Sequence, residues 1–264
     1  PYGPCDWEFL KEHVLPHINL AVSRGVPEEQ AQRDEWKRQG KRWITETPLP
    51  GLGNPEGVTA DGVEKAWIER GRLDDPLIDG IIVDEFGAGD EPIWAQWHEA
   101  LKRIRDNPKY AGKVYYPYCG PLHGAQASRA FAQTVIDAGW AVALERYLHE
   151  EATEADARQA INTVVVDRVK AWDGAQPGIV RNMLIVWGFF ISAPPESTNI
   201  YPNVDLKAFT DMQMNVLAND PTFFGLYGVT SYLSGYSDEE TIRWYGKLCR
   251  HYCIEGKTER LTDY

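Results

Sequence analysis

Seven short apolar runs, each followed by a longer segment of helical pattern, predict an α/β fold built as a (β/α)8 TIM-type barrel with one strand missing or irregular. Strand-then-helix alternation calls for parallel strands joined by right-handed helical crossovers. A doubly wound nucleotide-binding sheet would carry G-x-G-x-x-G at an early strand-to-helix turn, or a G-x-x-x-x-G-K-[ST] loop; neither occurs, so the barrel is the better reading. The 264 residues suit a single catalytic-type barrel domain spanning residues 1–264.

The units follow in order. HINLAVS (17–23) reads as a strand, and PEEQAQRDEWKRQG as a helix that opens on Pro27 with two Glu and stops at Gly40. RWITETP (42–48) is the next strand; after the Gly/Pro-rich loop LPGLGNPEG comes the helix TADGVEKAWIERG, with Thr59 or Asp61 as its cap. IDGIIVDEF leads into EPIWAQWHEALKRIRDN, where Ile93, Trp97, Leu101 and Ile104 recur at helical spacing. Four further pairs complete the pattern: KVYYPYC with GAQASRAFAQTVIDAG, WAVALERYL with TEADARQAINTVVVDRVKAWDG, RNMLIVWGFF with VDLKAFTDMQMNVLAND, and FFGLYGVTSYL with SDEETIRWYGKLCRHYC. The opening YGPCDWEFLKEHV fits a helix that follows a strand absent from this pattern.

Composition narrows the partners. The formal charge of −12, from 39 acids against 27 bases, repels a phosphate backbone, so no nucleic acid is expected and neutral ligands fit better. No apolar run approaches the roughly 18 residues that cross a bilayer, and the start lacks the basic and apolar regions of an export signal; no membrane insertion is expected. Four cysteines are too few to frame a chain of this length, and the CRHYC pair Cys249 and Cys253 is not a zinc signature. With no H-x-H on a strand and no H-E-x-x-H, neither metal nor cofactor is expected.

In a parallel barrel the carboxyl ends of all strands open onto one face, so residues far apart in sequence meet there. Acids and aromatics dominate those ends: Glu46, Asp84, Glu85, Tyr116, Tyr118, His123, Glu145, Tyr147, His149, Trp187 and Tyr227. Alternation in WAVALERYL sets Glu145 on the side of Ala141 and Ala143, which suits a crowded barrel interior, and alternation in GIIVDEF sets Glu85 with Ile81 and Val83. An acid at such a position commonly serves as a helix cap or an ion-pair partner. Acids at three strand ends, interleaved with Tyr and Trp, point further. Glycoside hydrolysis needs two carboxyl groups about 5–10 Å apart, and strands 80–86 and 141–148 are separated by one strand only.

This arrangement resembles the catalytic barrels of glycoside hydrolases, over the run from HINLAVS to the last helix and without a family-defining motif. VDEF is similar to the Asp-Glu pair of β-hexosaminidases, in which Glu is the acid and Asp orients the substrate's acetamido group. The large retaining clan would need a Glu at the end of RNMLIVWGFF, where Trp187-Gly188-Phe189 stands, and barrels resembling α-galactosidases use Asp at both catalytic positions. The resemblance implies cleavage of a glycosidic bond in a neutral oligo- or polysaccharide. Catalytic roles fall to Glu85 as a general acid/base tuned by Asp84 and partial burial, Glu145 as nucleophile or base, and Asp84 as an orienting group. Substrate-binding roles fall to Glu46, Tyr116, Tyr118, His123, Tyr147, His149, Trp187 and Tyr227. A glycosidase of this kind would act outside the cytoplasm or be secreted. Two other readings share these residues: a non-catalytic carbohydrate-binding barrel, and a lyase or isomerase acting on a sugar acid.

Overall fold

In the computed structural model the described residues are 6–23, 30–191, 199–201, 203–232 and 237–263. Cys5, the Pro27-Glu28-Glu29 opening of the first predicted crossover helix, and Leu233 of the last predicted strand lie outside them. The chain divides into two compact units, one of Asn19–Leu144 with Gly174–Met183, the other of Pro1–Ile18, Glu145–Asp173 and Leu184–Tyr264. Elements are numbered along the chain.

The first unit holds β1 (Leu20–Ser23), β2 (Arg42–Thr47), β3 (Gly80–Phe86), β4 (Val114–Cys119) and the start of β5 (Val142–Arg146), paired in chain order and parallel throughout. Between them run α2 (Gln30–Arg38), α3 (Ala60–Arg70), α4 (Ile93–Asp106) and α5 (Gln126–Asp137). Thr59 caps α3, its hydroxyl accepting the Gly62 amide at 3.2 Å, which settles the choice between Thr59 and Asp61. All six residues of β4 are buried, as expected of a parallel strand covered on both faces. Gly80 is obligatory at the start of β3: a Cβ there would stand 2.0 Å from the Val114 carbonyl oxygen.

One face of this sheet packs on the helices. Tyr115, opposite Ile81, meets Trp67 of α3 at 5.0 Å and Phe131 of α5 at 6.2 Å between ring centres. The buried stripe of α4, Ile93, Trp94, Trp97, Ala100, Leu101 and Ile104, follows the spacing that predicted the helix and covers the same face. Strand alternation therefore sends Ile82, Asp84, Tyr116 and Tyr118 to the opposite face.

The second unit holds α1 (Trp7–His13), α6 (Glu154–Ile161), most of α7 (Asp167–Ala175) and of β6 (Met183–Trp187), α8 (Leu206–Asn219), β7 (Gly228–Ser231) and α9 (Glu239–Leu248). β6 and β7 pair in parallel, from Leu184 opposite Gly228 to Trp187 opposite Ser231. The segment TEADARQAINTVVVDRVKAWDG, expected as one helix, is interrupted by a π turn over Asn162–Val166, where three consecutive valines crowd a regular helix. Asp211 of α8 is fully buried; its Oδ1 accepts the Tyr252 hydroxyl at 2.6 Å, and its Oδ2 accepts the amides of Leu261 and Thr262 at 2.8 and 3.0 Å.

Seven parallel strands with intervening helices agree with the predicted α/β class, and among the described residues there is no eighth strand. α1 occupies the segment expected to precede the first strand as a helix. Cys119 and Cys249 are buried free thiols, and Cys253 is an exposed one.

Candidate functional site

The carboxyl end of β3 is irregular. Val83 pairs with Pro117 and Phe86 with Cys119, so two residues, Asp84 and Glu85, stand against the single residue Tyr118. This is a β-bulge. Glu85 takes up the extra residue in the left-handed region at φ 76°, a conformation that costs a residue with a side chain about 1–3 kcal/mol. The Asp84 Oδ1 accepts the Glu85 amide at 2.8 Å and holds the kink. Beyond the bulge the alternation is reversed, and Phe86 turns to the helix face against Trp94, Trp97 and Phe131, with ring centres 5.7, 5.6 and 5.0 Å away.

The bulge corrects two expectations. Glu85 does not continue the Ile81–Val83 face, because the left-handed residue breaks the alternation on which that reading rested. Nor is Glu85 partly buried: it is exposed, whereas Asp84 is half-buried on the face opposite the helices.

The sheet register gathers several predicted residues on that opposite face. Glu46 pairs with Ile82, and Ile82 with Tyr116; Asp84 follows on β3, beside Tyr118 on β4. Glu46 is exposed, while Tyr116 and Tyr118 are buried. Tyr116 does not extend a polar tip to the strand end, since its hydroxyl lies 3.5 Å from the Arg42 guanidinium, reached across the side-chain-free Gly80. His123 is half-buried on the single turn Leu122–Gly124 that follows β4.

The loop after β3 is fastened to the start of α5. The Asp90 carboxylate accepts the Ala127 amide at 2.6 Å, and Gly89 and Ser128 exchange two bonds, from the Gly89 amide to the Ser128 hydroxyl at 3.3 Å and from the Ser128 amide to the Gly89 carbonyl at 3.1 Å. Such a loop holds the acids at the β3 end in a fixed frame.

In the second unit Glu145 is half-buried, and the following Arg146 donates to the Glu145 carbonyl at 2.6 Å. Tyr147 stacks on Tyr232, with ring centres 5.6 Å apart, and a Cβ on Gly188 would come within 3.0 Å of the Tyr147 ring. Residues just past β5, β6 and β7 thus meet around Tyr147. His149 is exposed on the loop after β5. Trp187 is fully buried and stacks on Phe189 at 5.5 Å, leaving no face for a ligand. Tyr227 is exposed but precedes β7, because the strand begins only at Gly228; it lies at the amino end, not at the carboxyl end expected.

Three residues escaped sequence reasoning. Ser128 and Asp90, which fasten the loop, carried the usual signal of a side-chain acceptor near a helix start. Glu150 is 1% exposed, its Oε2 accepting the Tyr201 amide at 3.2 Å, and burial raises its pKa above the ordinary carboxylate range. The string H-E-E gives no hint of that burial.

No protein family and no curated protein sequence matches the chain. Its fold has a solved counterpart. The "C-terminal domain of putative chitinase from Desulfitobacterium hafniense DCB-2" aligns with a TM-score of 0.55 at 11% identity, over 85% of this chain and 82% of that one. At this identity the likeness is one of fold. Among the described residues no group of three or more His, Cys, Asp or Glu could hold a metal ion, and no helix is long and apolar enough to cross a membrane.

Proposed function

We propose that this protein is a glycoside hydrolase acting on a neutral oligo- or polysaccharide through the acids at the end of β3. The observation that carries the proposal is the left-handed Glu85 in a bulge at the carboxyl end of a parallel strand, the end where such folds place their chemistry. Strained backbone concentrates at functional sites, and bulges re-aim side chains there. The fold likeness to the "C-terminal domain of putative chitinase" is in keeping with the same reaction class.

In this reading Glu85 donates a proton to the departing glycosidic oxygen, and Asp84 beside Tyr118 orients substrate hydroxyls together with Glu46. The sequence assigns the second carboxylate, which attacks the anomeric carbon or activates a water, to Glu145. Glu85→Gln should lower turnover of aryl glycosides or oligosaccharides by about 10²–10⁴-fold while the fold and sugar binding persist. Glu145→Gln tests the second assignment separately. Full activity in both variants overturns the proposal, and the anomeric form of the first product, followed by NMR, distinguishes retention from inversion.

One observation favours the non-catalytic carbohydrate-binding reading. Glu85 is exposed, whereas a general acid is ordinarily kept in drier surroundings. Sugar binding without turnover of any glycoside would establish that alternative.

A further inference from the structure

The second unit contains a cavity of about 290 Å³ between the starts of α8 and α9. Its size lies at the small end of ligand sites, which run from about 300 to 1,000 Å³, so it suits one small ring and not a polymer segment.

The lining combines an apolar floor with a polar mouth. Phe189 and Tyr245 are buried, with ring centres 6.2 Å apart, and Leu206 and Trp244 are half-buried beside them. Trp244 is fixed in place, since its indole N–H donates to the Thr210 hydroxyl at 3.0 Å, and the single proton of that hydroxyl is shared between the carbonyls of Leu206 and Lys207 at 3.0 and 3.1 Å. A preset indole binds a flat apolar surface without an ordering cost.

The charges at the mouth are already matched. Asp205 caps α8, its Oδ1 accepting the Lys207 amide at 2.9 Å, and Asp238 caps α9, its Oδ1 accepting the Thr241 amide at 2.8 Å. Each of these carboxylates faces the positive end of its helix. Glu240 pairs with the Lys207 ammonium. A charged ligand would have to displace one of these partners. A neutral ligand with many hydroxyls would instead share the remaining donor and acceptor capacity of Thr241 and the engaged carboxylates, and would lay its apolar face on Trp244.

We infer that this cavity is a binding site for a single neutral sugar ring. The inference takes its ligand class from the lining, and it holds whether or not the β3 acids hydrolyse a glycosidic bond.

The test uses the full chain and isothermal titration with tetrasaccharides of glucose, xylose and N-acetylglucosamine, followed by competition with the corresponding monosaccharides. Thr241→Phe, which fills the cavity, and Trp244→Ala should each weaken binding at least tenfold, with circular dichroism and thermal melting reporting the fold. Trp244→Phe keeps an aromatic face but loses the bond to Thr210; it should retain binding within a few-fold, which a purely structural tryptophan would not predict. Unchanged affinity in a folded Thr241→Phe variant overturns the inference, as does the absence of binding by any of these sugars. A marked preference for glucosamine over glucose would also overturn it, because it would reveal an uncompensated carboxylate. If Asp84→Ala abolishes binding and Thr241→Phe does not, the cavity assignment falls and the hydrolase reading stands. Cavity-dependent binding together with full turnover by both Glu85→Gln and Glu145→Gln has the opposite meaning.

Discussion

The end of β3 and the starts of α8 and α9 each present two acids at the edge of an element, but in different backbone states. Asp205 and Asp238 sit in ordinary extended conformation and satisfy helix amides that would otherwise lack a partner. Asp84 and Glu85 sit in a bulge with Glu85 left-handed, and Asp84 accepts the amide of the kink itself. The first pair contributes to stability where it stands. Glu85 is strained, and it persists because neighbouring contacts hold it. The difference separates acids whose position explains itself from acids whose position calls for a function or a compensating contact.

The compensating contact is Phe86. Without the extra residue, plain alternation would put Phe86 on the same face as Ile82 and Asp84; the bulge delivers it to Trp94, Trp97 and Phe131 instead. Phe86→Ala should therefore cost about 3–5 kcal/mol in urea denaturation. A cost below about 1 kcal/mol would detach the bulge from core packing and leave function as its reason. Asp238→Ala should cost about 1 kcal/mol through loss of the α9 cap, while Asp238→Asn, an equally good cap, should stay within a few tenths of that of the parent. Glu85→Gly works in the opposite sense. By relieving the left-handed strain it should raise stability by about 0.5–1 kcal/mol at an unchanged denaturant slope. A loss of stability in this variant would show that contacts of the Glu85 side chain outweigh the strain, which would erase the contrast with Asp205 and Asp238.

Most of the architecture was legible in the sequence because it rests on periodicity. The run Ile93, Trp97, Leu101, Ile104 marked α4, the apolar runs marked every strand, and Thr59 marked a helix start. The candidate site was less legible, since its decisive feature is a single residue that departs from alternation. A glycine at position 85 would have signalled a bulge; a glutamate does not. Tyr227 was misplaced for a related reason: in FFGLYGVTSYL the aromatic residues run evenly across the strand start, and only the pairing of Gly228 with Leu184 fixes where the strand begins. The burial of Trp187 depends on Phe189 folding back over it after β6, a tertiary contact that composition does not encode.

The buried carboxylate of Asp211 carries a consequence for how the second unit opens. Its two oxygens receive a tyrosine hydroxyl from the segment after α9 and two main-chain amides from Leu261 and Thr262. Peeling the stretch around Leu261 and Thr262 away would leave a buried side chain without its hydrogen-bond partners, so the stretch should not open independently of α8. In hydrogen-exchange measurements the amides of Leu261 and Thr262 should be protected as long as those in the middle of α8, and the two segments should exchange as one cooperative block.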